Sequence, residues 1–274
     1  MSAAREVRES TRVAAPAEDV WRAFADPAWL TGWLAERAGG AAVTGGTLEL
    51  AWDSLGMAVA LEVLAAEPPA RLVLRAQAPG RAPQTQTVAI AREPDGATRI
   101  DLTHDGFAPG ARGDDERDGT GAGWHVQLRV LAHYLAHHRG AARACAASLA
   151  PVTAPLDTVA PLLHTPDGLA RWLTASPARL GAEGARCDFA LRGGTWLSGT
   201  VLAVAAPREL ALAIDEFDGG LRLRAIQLDP GALLCVAQVW SWAPDSSVWP
   251  TVRQELDEAV ARLAAAAGSV QYNA

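Results

Sequence analysis

The chain has 274 residues, 50% of them hydrophobic and 20% charged, with a formal net charge of −7 and a pI near 5.4. This length fits one large or two ordinary domains with real cores, and the acidic balance argues against a phosphate-tracking surface, so nucleic acid is not an expected partner. All 24 basic residues are arginine, which removes Schiff-base and phosphate-loop lysine chemistry. The charged opening residues carry no apolar run, and no later stretch is long and apolar enough to span a bilayer. The expectation is a cytoplasmic protein with no membrane span. Cys145, Cys187 and Cys235 are scattered, without a C-x-x-C pair, and read as buried reduced thiols rather than a zinc or disulfide framework.

In chain order, an alternating strand over 6–13 leads to Pro16-Ala17-Glu18-Asp19-Val20-Trp21. There proline presets a helical turn and two acids sit at the positive end of the helix dipole. That helix ends by Ala25, and Asp26-Pro27 starts a second one with Leu30, Trp33 and Leu34 on its buried edge. Its second helix is not basic, so this pair is no DNA reader. Gly39-Gly40 and Gly45-Gly46 then release strands over 47–52, 57–64, 71–77, 84–92 and 97–104. Turn chemistry separates them at Asp53-Ser54-Leu55-Gly56, Glu67-Pro68-Pro69-Ala70, Pro79-Gly80 and Pro94-Asp95-Gly96. In the last strand, alternation puts Thr98, Ile100, Leu102 and His104 on one face and Arg99, Asp101 and Thr103 on the other. A charged, glycine-broken loop over 108–123 is expected to be mobile, either a lid or a disordered connector. A helix restarts at Gly123-Trp124, with Trp124, Leu128, Leu131 and Leu135 at helical spacing.

After Arg139-Gly140 the pattern repeats. Pro16, Pro27, Trp33 and Gly45 return as Pro155, Pro166, Trp172 and Gly184, all at an offset of 139 residues. The offset falls to 138 between Leu72 and Leu210 and to 125 between Trp124 and Trp249, so the second copy is shorter, chiefly before its closing helix. Two domains are expected, 1–139 and 140–274. The fold class is α+β: two tandem helix-grip domains, each an antiparallel sheet gripping a long C-terminal helix, with two short helices after the first strand.

The residues over 16–24, Asp26-Pro27 with Leu30 and Trp33, Glu67-Pro68-Pro69-Ala70-Arg71-Leu72, Leu102 to Phe107, and Gly123-Trp124 with Leu128 to Leu135 are similar to a known family. It is named for homologues of the heat-shock-protein ATPase activator, within the START-related SRPBCC superfamily of lipid-transfer and polyketide-cyclase folds. The likeness covers residues 5–139; the second copy resembles a diverged member, with Val239-Trp240-Ser241-Trp242 where the first has His104-Asp105-Gly106-Phe107. The resemblance implies an apolar cavity under the long helix that holds a lipid, sterol or polyketide-like molecule, and it implies no fixed reaction and no cofactor.

The candidate ligand wall is His104, Leu102 and Ile100 on the strand, Phe107 after it, Trp124 and Leu128 on the helix, with Trp33 and Trp52. His104 is the single catalytic candidate, as a proton donor or orienting group, against the plainer reading of a satisfied histidine at the edge of the core. No metal site is expected: His133 and His137 stand one turn apart beside His138, but off the apolar stripe. Glu62, Arg75 and Asp101 read as solvated sheet face. The first reading is a binding protein rather than an enzyme, with a stress-related role as one option. A polyketide aromatase or cyclase and a chaperone-cofactor-like interaction protein are the alternatives. The second copy's last strand is apolar on both faces around Val236 and Trp240, so both faces are expected to be covered, by the first domain or by a second protomer in a homodimer.

Overall fold

The computed structural model describes residues 5–77, 82–229 and 231–268. The Pro79-Gly80 turn and the first four residues lie outside the described residues. The chain divides into two compact units, Met1–Arg143 and Ala144–Ala274.

The first unit runs β1 (Glu6–Val13), α1 (Ala17–Ala25), α2 (Pro27–Trp33), β2 (Arg37–Gly40), β3 (Thr47–Trp52), β4 (Met57–Glu67), β5 (Arg71–Ala76), β6 (Gln84–Arg92), β7 (Thr98–Asp105) and α3 (Ala111–His137). Its strands form one antiparallel sheet in the order β1-β7-β6-β5-β4-β3-β2. The edge strand β2 is an addition to the sequence reading, which took Gly39-Gly40 as a release point. Gly40 sits at φ 85°, and a β-carbon there would stand 2.0 Å from the Thr47 carbonyl oxygen, a conformation and clearance that only glycine supplies. Asp26 caps α2 by accepting from the Ala28 amide at 2.9 Å, and the fully buried Trp33 donates its indole N–H to the Ala23 carbonyl at 2.8 Å. This bond locks the two short helices together, and truncating such a residue to alanine costs about 3–5 kcal/mol.

The second unit runs β8 (Ala144–Val152), α4 (Leu156–His164), α5 (Pro166–Ala170), β9 (Arg179–Leu180), β10 (Arg186–Ala190), β11 (Trp196–Ala205), β12 (Glu209–Ile214), β13 (Gly219–Asp229), β14 (Ala232–Ser241) and α6 (Val248–Gly268). Its sheet order, β8-β14-β13-β12-β11-β10-β9, repeats that of the first. Thr165 takes the capping place of Asp26, accepting from the Gly168 amide at 3.0 Å, and Trp172 donates to the Leu162 carbonyl at 2.7 Å, the same ten-residue reach as in the first unit. Both units are helix-grip domains in tandem.

Two expectations need revision or qualification. The 108–123 stretch is not a loop: α3 begins at Ala111 and runs 27 residues, against 21 for α6. Glycine propensity argues against this helix, and tertiary contacts override it. Arg5 meets Asp114 at 3.3 Å, Gln84 donates to Glu116 at 3.0 Å, and Gly113 fits against Ala108, where a β-carbon would come within 1.8 Å of the carbonyl oxygen. The second concerns Val236 and Trp240, which are buried. For Trp240 a local cause exists, because its ring lies over the cross-strand Gly220, where a β-carbon would stand 2.2 Å from the indole.

Candidate ligand site

The alternation of β7 buries Thr98, Ile100, Leu102 and His104 on the face toward α3. Thr98 spends its hydroxyl on the Ala15 carbonyl at 2.6 Å. His104 uses both ring nitrogens. Nδ1 lies 3.0 Å from Trp124 Nε1 and Nε2 lies 3.1 Å from Gln84 Oε1. An indole can only donate, so Nδ1 accepts, and the single proton of the neutral ring sits on Nε2 and is donated to Gln84. Gln84 passes the polarity on, donating to Glu116 Oε1 at 3.0 Å. The relay therefore joins β6 and β7 to both halves of α3. Phe107 leans on the imidazole with ring centres 5.2 Å apart. Burial pushes the His104 pKa down to about 4, and a proton added at Nδ1 would face the Trp124 N–H head-on.

The other sequence-predicted wall residues divide by exposure. Ile100, Leu102, Leu128 and Trp33 are fully buried core, and Phe107 is nearly so. Trp52 and Trp124 are half-buried, and Trp52 donates to the Leu34 carbonyl at 2.7 Å. The structure thus brings His104, Phe107 and Trp124 into one cluster, while the indole donor of Trp33 is turned to the α1–α2 joint.

Residues 14–136 match the family model of the Activator of Hsp90 ATPase homolog 1-like proteins. The match spans most of the first unit. Among solved structures, DynU16, a protein of the dynemicin biosynthetic locus, is 20% identical, covers 97% of each chain and has a TM-score of 0.45. The di-domain ARO/CYC BexL from the BE-7585A biosynthetic pathway is 14% identical over 97% of this chain and 99% of its own, with a TM-score of 0.42. CalU16 from Micromonospora echinospora is 23% identical over 48% of this chain and 76% of its own, with a TM-score of 0.40. No curated protein matches.

Within the first unit, the wedge between sheet and α3 is not sealed. Trp52, Val59, Ala76, Gln84 and Gln86 point inward by strand parity yet remain partly exposed, as does Trp124 opposite them. The second unit differs. Its inward residues Val201, Leu212, Ile214, Leu221, Leu223 and Val239 are at most 2% exposed and belong to one continuous core with Phe217 and Trp249.

Several polar groups outside the family motifs complete the picture. Sequence reading missed Glu9, whose carboxylate lies 3.5 Å from His125 Nδ1 and 4.0 Å from Arg129 on α3; its inward parity with Val7 and Val13 was the available signal. His133, His137 and His138 cluster with ring centres 4.7–6.1 Å apart, and among the described residues no three ligating groups are arranged to hold a metal. Glu62 pairs with Arg75 at 2.6 Å on the exposed face, and Asp101 accepts from Ser10 at 2.8 Å. None of the three cysteines is in a disulfide among the described residues, and burial raises the thiols of Cys187 to about 11 and Cys235 to about 12, so neither of these two is a nucleophile at neutral pH. No helix among the described residues is long and apolar enough to cross a membrane.

Proposed function

We propose that the first unit is a binding domain that holds a small hydrophobic molecule in the wedge between α3 and the inner faces of β3–β6. The observation that carries this reading is the partial exposure of inward-facing Trp52, Val59, Ala76, Gln86 and Trp124, in a fold whose second copy packs the same face shut. A pocket with apolar walls and few polar groups suits such a ligand. Binding is favoured over catalysis because His104 has both nitrogens engaged and a pKa near 4, which leaves no proton to exchange near neutral pH.

The test is hydrogen exchange on the full chain, with and without members of a panel of lipids, sterols and aromatic polyketides. Added protection should fall on β5, β6 and α3. Protection in residues 144–274 instead, or none with any member of the panel, would remove the reading.

A further inference from the structure

The inner wall of the first unit is almost fully accounted for in hydrogen bonds. On β3–β7 the inward positions are apolar apart from Thr98, His104, Gln84, Gln86 and, at the exposed end of β6, Arg92, which lies 3.8 Å from Glu18. Thr98 is engaged with Ala15, His104 with Trp124 and Gln84, and Gln84 also with Glu116. Gln86 is the exception. It stands in register between His104 on β7 and Leu74 on β5, is half-buried, and makes no hydrogen bond to any described residue. A second amide sits on α3. Helical periodicity places Gln127 inside the arc formed by the buried Val126, Leu128, Val130, Leu131, Tyr134 and Leu135, yet it too is half-buried and without a hydrogen-bond partner among the described residues.

An inward amide without a partner carries a desolvation cost that a ligand group or water must offset. Amides offer one acceptor and two donors and no charge. The wedge offers no unmatched cation: Arg92, inward by register, lies exposed at the end of β6 beside Glu18 at 3.8 Å, His104 is neutral, Glu116 is a carboxylate that already accepts from Gln84, and Glu9 lies beside His125 and Arg129 at the β1 edge. A carboxylate buried there would lack a counter-ion.

We infer that Gln86 and Gln127 are the hydrogen-bonding contacts of the first unit's ligand, and that this ligand is an uncharged hydrophobic molecule bearing hydroxyl or carbonyl groups. The inference rests on the binding reading above and narrows it. It is tested on the full chain by calorimetric titration with 2-naphthol, naphthalene and 2-naphthoate, using wild type, Gln86→Met and Gln127→Met, whose fold is checked by circular dichroism. The expected result is that 2-naphthol binds most tightly and that each substitution weakens it about three- to tenfold while leaving naphthalene unchanged. Equal loss of 2-naphthol and naphthalene, or no loss of either, overturns the role of the amides. Naphthoate binding as tightly as naphthol overturns the neutral ligand class, and in both cases the binding reading survives. Failure of wild type to bind any of the three overturns the binding reading, and the inference with it.

Discussion

At the scale of the residue, His104 is a latch that joins β7 to Gln84 on β6 and Trp124 on α3. Its folded pKa, about 4, lies below the ordinary 6.5, so between these values the unfolded chain binds more protons than the folded one. The stability linked to the neutral ring is therefore complete above about pH 6.5 and is lost as the pH falls toward 4, a change of about 3 kcal/mol. We expect the urea midpoint of the first unit to drop across that window, and His104→Gln, destabilised at neutral pH, to show a shallower drop. An identical pH profile in the variant would mean that other groups carry the acid sensitivity. The sequence supplied the residue and its inward face through strand alternation. It could not supply the partners, because Gln84 and Trp124 each lie 20 residues away on other elements.

At the scale of the element, α3 is where sequence and structure part. Gly113, Gly119, Gly121 and Gly123 with six charged residues between 112 and 118 have the composition of a loop, and local propensity is all that a sequence displays of such a stretch. The helix forms because its faces meet Arg5, Val7 and Gln84, contacts that exist only after the sheet has folded. Two glycines make opposite predictions. A β-carbon at Gly121 would meet Val7 at 3.7 Å, an ordinary contact, so Gly121→Ala should stabilise the unit by about 0.5–1 kcal/mol and slow amide exchange in the first half of α3. At Gly113 it would strike the Ala108 carbonyl, so Gly113→Ala should lower the melting temperature. Matching effects from the two substitutions would contradict this packing.

At the scale of the whole molecule, one architecture was written twice and finished differently. The duplication was legible because Pro16, Pro27, Trp33 and Gly45 recur at one offset, and Trp33 and Trp172 do recur as the same indole-to-carbonyl bond. What closes the second copy was not legible, since it depends on pairs distant in sequence. In α6, Glu255 accepts from the Gly193 amide at 3.0 Å and from the Thr195 hydroxyl at 2.5 Å, tying the β10–β11 turn to the closing helix. The corresponding turn of the first copy is tied instead to the start of β2, where Arg37 meets Asp53 at 2.6 Å and the Ser54 amide donates to Glu36 at 2.9 Å. Glu255→Ala should cost about 2 kcal/mol in the second unit and increase binding of a hydrophobic dye there. Unchanged dye binding and unchanged stability would mean that this tie does not keep the second copy shut.

The contact between Trp124 and His104 also has an optical consequence. An imidazolium quenches a neighbouring indole more strongly than a neutral imidazole does, and these two rings are 6.4 Å apart with a direct hydrogen bond. Protonation of the latch should therefore darken Trp124 before the fold opens, and substituting Trp124 by phenylalanine should remove that part of the acid-induced loss of emission. The protein carries its own indicator dye, placed at the joint that keeps sheet and helix together.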